Sequence, residues 1–140
     1  MATLFTRIIQ GELPGRFVWR DPRAVAFLTI APLQPGHTLV VPIQEVDHWL
    51  DLEPELCAHL MGVAYKIGKG VQRAFQPVKV ALMIAGLEVP HTHLHLVPIW
   101  KLQDMNFANA DAHPSPESLD RAAEQLRQAL RELGYSEVSE

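Results

Sequence analysis

The sequence predicts an α+β fold: a five-stranded, mainly antiparallel sheet, a long helix between the third and fourth strands, and a C-terminal helix. Three observations predict it. Short apolar runs broken by Pro- and Gly-containing turns occupy residues 17–42 and 78–98. Between them Leu56, Leu60, Val63, Ala64, Ile67, Val71 and Phe75 recur at helical spacing. A second helical stripe, Leu119, Ala122, Ala123, Leu126, Leu130 and Leu133, closes the chain. Strands, helix, strands, helix is the order of an α+β domain.

The elements follow in order. Phe5, Ile8 and Ile9 share one face of a short helix that Gly11 ends. Glu12-Leu13-Pro14-Gly15 turns the chain into a first strand at Phe17-Val18-Trp19. Asp21-Pro22 turns it into a second at Ala24–Ile30. Pro32–Gly36 then reverses it into a third, His37–Pro42, antiparallel to the second. Asp51–Pro54 starts the long helix, and Val78–Ala85 is the fourth strand. Gly86-Leu87-Glu88 leads to the fifth, which runs from Val89 to Pro98 and carries three histidines. Residues 101–114 are a polar surface loop, of a length more often functional than not. Ser115-Pro116-Glu117 opens the last helix, 115–134, with a capping hydroxyl, a proline in the first turn and an acid, and Gly134 ends it.

At 140 residues the chain is read as a single domain, 1–140. A net charge of -4 and a pI near 5.9 speak against a general nucleic-acid binder. The uncharged run Ala24–Gln44 is long enough to suggest a membrane span, but Pro32, Pro35, Gly36 and Pro42 break it into strands and a turn. The N-terminus has no long apolar core or small-residue cleavage site. A single cysteine, Cys57, suits a reducing compartment, so a cytoplasmic protein without membrane or nucleic-acid partners is expected.

Chemistry concentrates in His91-Thr92-His93-Leu94-His95-Leu96-Val97. Alternation on a strand puts His91, His93 and His95 on one face, with Leu94 and Leu96 on the other. Three uses are open to such a row. A structural cluster must find each imidazole a hydrogen-bond partner in an apolar sheet. A metal site can use a pair at i and i+2 with ligands from elsewhere, but all three together are harder, because the outer Cα atoms stand about 13 Å apart on a strand. In nucleophilic catalysis, a neutral imidazole attacks phosphorus and splits one displacement into two through a phospho-histidine.

This run resembles the signature of the histidine triad (HIT) family of nucleotidyl hydrolases and transferases, in particular its short Hint-like branch. The resemblance covers about residues 1–100. Phe5–Pro14 is similar to the family's opening helix and turn, and Ala26–Pro42 to its paired strands, including the added histidine, His37. It implies hydrolysis of a nucleoside monophosphate ester or phosphoramidate at the α-phosphorus. The alternatives it leaves are a dinucleoside-polyphosphate hydrolase or nucleotidyl transferase, and a nucleotide- or metal-binding module without turnover. His93 matches the nucleophile, His95 the group at the phosphate or leaving group, and His91 and His37 the supporting pair. Phe5, Ile8, Leu13 and Ile30 match the nucleobase and ribose pocket, although apolar residues at such positions commonly serve the core alone. A purine nucleotide or conjugate as substrate, no cofactor or catalytic metal, and a homodimer joined near the 58–75 helix and fourth strand are implied.

The departures from the family pattern bear on substrate. Thr92 replaces an apolar spacer, and Thr29 stands where an aspartate usually grips the ribose. Ala85 or its neighbours replace an asparagine near the phosphate, and Leu87-Glu88 replaces polar donors to the phosphate or leaving group. Thr3 and Thr6 stand where some members carry a zinc-binding Cys-x-x-Cys. Glu88 either faces solvent, pairs with Lys79 or Arg73, or faces the leaving group. His48, His59, His113 and the Lys66–Lys69–Arg73 face are expected on the surface, and Trp100 in the core or at the pocket. Neither the base nor the leaving group follows from the sequence.

Overall fold

The computed structural model of the chain describes residues 1–139. Three α-helices, α1 (Leu4–Ile9), α2 (Pro54–Phe75) and α3 (Pro116–Glu132), accompany five strands. These are β1 (Phe17–Arg20), β2 (Ala24–Leu28), β3 (Thr38–Pro42), β4 (Lys79–Ile84) and β5 (Leu94–Ile99). They form one sheet in the order β1-β2-β3-β5-β4, antiparallel at every junction. The expected α+β architecture is present.

Strand alternation divides the core. Ala24, Ala26, Leu28, Val40, Leu94 and Leu96 face α2 and α3 in the larger cluster. Val25, Phe27, Leu39 and Val41 face the other way, where Phe5 of α1 covers them. Every residue of β2 is therefore buried, so its sequence reads as a continuous apolar run. A helix of only six residues covers the second face. The β5 side of that face is left for the histidines.

The long helix starts with Pro54 in its first turn and stops where Gln76 turns left-handed before Pro77. Gly70 lets α3 approach closely: a Cβ there would lie 2.5 Å from Leu130 Cδ2. Past α3, the chain returns to the outer edge of β1, a pairing no sequence pattern announced. Val138 bridges Trp19, the Arg20 N–H donates to the Glu137 carbonyl and the Ser139 N–H to that of Val18. One edge of the sheet is thus covered, while β4 forms the other. No helix among the described residues is long and apolar enough to cross a membrane.

Four expectations are corrected. The histidine run does not lie wholly on a strand: β5 begins at Leu94, so His91 and His93 precede it, and His37 likewise precedes β3. The ladder between β3 and β5 ends at the Val40–Leu94 pair, and beyond it the Pro42 carbonyl accepts from the His91 ring. His59 is half-buried and bonds both Asp21 carboxylate oxygens at 3.0 Å, rather than facing solvent. Trp100 is about half exposed and Leu133 is also exposed, so neither belongs to the core.

Candidate active site

The four histidines of the site form two hydrogen-bonded arms. In the first, the His91 ring is fully buried; its Nε2 lies 2.7 Å from the Pro42 carbonyl and its Nδ1 2.7 Å from the Thr3 hydroxyl. A carbonyl can only accept, so His91 carries its proton on Nε2 and the Thr3 hydroxyl donates to Nδ1. The His93 Nδ1 lies 2.8 Å from the carbonyl of His91 and must donate to it. In neutral His93, Nε2 is then a bare lone pair.

The second arm is ordered in the opposite sense. The Leu33 N–H donates to His37 Nδ1 at 3.1 Å, so neutral His37 holds its proton on Nε2. That proton points to His95 Nδ1, 2.9 Å away. Neutral His95 must therefore carry its own proton on Nε2. Gly36 makes the turn that presents His37, with a φ of +97° and the Phe75 ring where a side chain would sit. The His93 and His95 rings stand edge to face with centroids 4.9 Å apart. Neither Nε2 has a protein partner, and no fully buried side-chain nitrogen or oxygen lacks one among the described residues. Both atoms therefore open to the surface: a nucleophilic lone pair beside an N–H donor.

Burial keeps these rings neutral. It depresses His37 to about 3 and His95 to about 4, with the neighbouring histidines adding to the effect. His91 and His93 are lowered by the same desolvation, against hydrogen bonds to carbonyls that favour the charged forms. Glu88 also favours a charged His93, so its carboxylate lies within electrostatic reach of that ring.

Around this centre the expected pocket residues separate. Phe5 packs its ring 4.9 Å from His93, 5.8 Å from His91 and 5.6 Å from Phe27, and Ile8 packs against the same cluster. Thr29 sits beside His37: its N–H donates to the His37 carbonyl, while its hydroxyl accepts from the Ala31 N–H. Leu13 is half-buried, tied by its N–H to the Arg7 carbonyl. Ile30 is 71% exposed, so it is not a core residue. Glu88 is exposed, and Arg73 pairs with Glu132. Thr3, placed by resemblance at a zinc-ligand position, instead supplies a hydroxyl to His91.

Sequence reasoning missed Phe107. It lies in the 101–114 loop, which coils into two short 3₁₀ turns, Leu102–Met105 and Phe107–Asn109. Its ring stands 5.2 Å from His95 and 6.3 Å from His37, centroid to centroid. A lone aromatic in a polar loop was the available signal.

The family model of the HIT domain matches residues 10–102. An uncharacterized HIT-like protein of Saccharolobus solfataricus is 31% identical over 134 residues, 92% of this chain and 95% of its own. An adenosine 5'-monophosphoramidase of Schizosaccharomyces pombe is 29% identical over 99 residues, 70% of this chain and 74% of its own. Among solved structures, a hypothetical histidine triad nucleotide-binding protein of Sulfolobus tokodaii superposes with a TM-score of 0.82 at 26% identity, covering 92% of each chain. With the family model spanning all five strands, α2 and the histidine run, this chain belongs to the HIT domain family.

Proposed function

We propose that the protein hydrolyses a nucleoside monophosphate ester or phosphoramidate at the α-phosphorus through a nucleotidyl group carried on His93. One observation carries the reading: the opposed proton positions of His93 and His95. The His93 Nε2 lone pair attacks phosphorus, forming a P–N bond as the bond to the leaving group breaks. The His95 Nε2–H donates to the charge that develops on the phosphoryl oxygen or the leaving atom. Water then attacks the phosphorus of the phospho-histidine, forming a P–O bond as the P–N bond breaks and frees His93; over the cycle it supplies the hydroxyl left on phosphorus and the proton taken by the leaving group. Phe5 and Ile8 offer an apolar wall for a purine, and the named activity of the fission-yeast relative favours adenosine. No step uses a metal, and the free Cys57 fits a cytoplasmic setting.

The test is a screen of adenylate and guanylate phosphoramidates, dinucleoside polyphosphates and sugar nucleotides, run with excess chelator. Samples quenched in mid-reaction should carry a nucleotidyl mass on the His93 peptide. Best turnover of dinucleoside polyphosphates would move the substrate class, and turnover that requires added zinc would end the metal-free scheme. The charge of Glu88 near His93 supports a role at the leaving group, favouring amine or cationic ones. Glu88→Gln should then lower kcat/KM for amine phosphoramidates more than for anionic leaving groups, a ratio that general loosening leaves unchanged.

The reading includes a homodimer. With the β1 edge covered by the C-terminal segment, β4 offers an open row of backbone groups, and Leu82, Met61 and Tyr65 are exposed on β4 and α2. A stable interface would bury on the order of 1,000 Å² or more. Sedimentation should find twice the 15.7 kDa chain mass at micromolar concentration; a single 15.7 kDa species would refute it.

A further inference from the structure

We infer that residues 100–111 form a strap that holds the proton of His95 on Nε2, with Phe107 and Gln34 as positioning residues. The inference rests on the proposed hydrolase reading, which needs a donor at that atom.

The strap is built as a unit. Asp104 accepts from the backbone N–H of Trp100 at 2.7 Å and of Lys101 at 3.1 Å, closing its first turn. It then grips the turn before His37 at two points. The Gln34 side-chain amide donates to Asp104 at 3.0 Å, and the Asp111 N–H donates to the Pro32 carbonyl at 3.0 Å. These two ties flank Leu33, whose N–H occupies His37 Nδ1. Everything downstream depends on that one donor. With Nδ1 occupied, His37 must offer Nε2–H to His95, and His95 must hold its own proton on the outward nitrogen.

Phe107 completes the device from the other side. Its ring edges onto both imidazoles of the pair and restricts water there. Without it, water could solvate the pair, favour the charged forms and let the tautomers exchange. The titratable and charged groups around the pair are His93 and, on the strap, Lys101, Asp104 and Asp111. Of these only His93 acts on His95, and only His93 and His95 act on His37, all against protonation.

Proton positions in ¹⁵N-histidine protein are read directly from long-range ¹H–¹⁵N spectra, without turnover. Wild type should show Nε2–H on His37 and His95 and Nδ1–H on His93. Phe107→Ala and Gln34→Met should raise the His95 titration midpoint by about one pH unit or more and mix its tautomers. His93 should keep its proton position in both. On a phosphoramidate both variants should lose about ten-fold in kcat with little change in KM, and Phe107→Tyr should restore it. Unaltered His95 spectra in both variants would overturn the strap whatever the rates do. A His93 change as large as that at His95 would mean general loosening and also count against it. Altered His95 spectra in a protein with no turnover would support the strap and count against the hydrolase reading.

Discussion

The two arms of the site solve the same problem by different means. On the His91–His93 arm the decisive acceptor is a backbone carbonyl two residues before His93, so His93 is oriented almost by its own segment. On the His37–His95 arm the decisive contact joins rings 58 positions apart, and its sense is set by the Leu33 N–H. Local bonding protects the first arm against changes elsewhere. The second depends on how the 32–37 turn and the 100–111 segment are docked.

The largest effects should therefore come from the rings themselves and should differ in kind. His93→Ala removes the attacking atom and should lower kcat on the order of 10⁴-fold or more with the fold kept. His95→Ala removes only a donor and should lower it by about 10²–10⁴-fold, while His93 still takes up a nucleotidyl group. Mass spectrometry of quenched samples separates the two. A labelled His93→Ala enzyme, or an unlabelled His95→Ala one, would erase the contrast between the arms.

Acid should strike the second arm harder. His37 and His95 are depressed to about 3 and about 4, while in the unfolded chain they titrate near 6.5. Below pH 6.5 the unfolded state binds more protons, so the folded state loses stability as pH falls and has its full share above that point. Each such group contributes a slope of about 1 kcal/mol per pH unit within its window. Urea titrations at pH 7.5 and 5 should show the loss, and His37→Asn should reduce its slope. An unchanged slope in that variant would show that the ring is not buried neutral.

The smallest effect tests the first arm's independence. Thr3→Val removes the hydroxyl that bonds His91 Nδ1 and caps α1, and leaves a buried acceptor bare, at a cost of about 1–3 kcal/mol in stability. The His91 carbonyl that orients His93 remains, so kcat should change by less than about three-fold. A large fall in kcat without loss of stability would mean that His91 acts through its ring.

Much of the architecture was legible because it is repetitive. The apolar spacing of Leu56–Phe75 and Leu119–Leu130 set two helices, the prolines and glycines of 32–36 and 86–90 set turns, and alternating histidines marked the candidate site. Boundaries were less legible. Whether His91 continues a strand depends on whether the Pro42 carbonyl meets a backbone N–H or an imidazole, and both are chemically adequate donors. Leu13 and Ile30 looked like Phe5 and Ile8 in residue type, yet only the latter pair joins the apolar cluster on the Phe27 side of the sheet, where Phe5 also meets the histidines.

The sequence by itself determined the candidate site: a row of imidazoles spaced so that one backbone segment both holds and orients His93. Only the tertiary structure decided where the protons of His37, His91 and His95 lie. That choice depends on contacts distant in the chain: Leu33 on His37, His37 on His95, Thr3 on His91, and Phe107 over the pair. An imidazole is nearly symmetric between its two tautomers, so no residue type or spacing selects one. A partner able only to donate or only to accept does, and the fold supplies that partner.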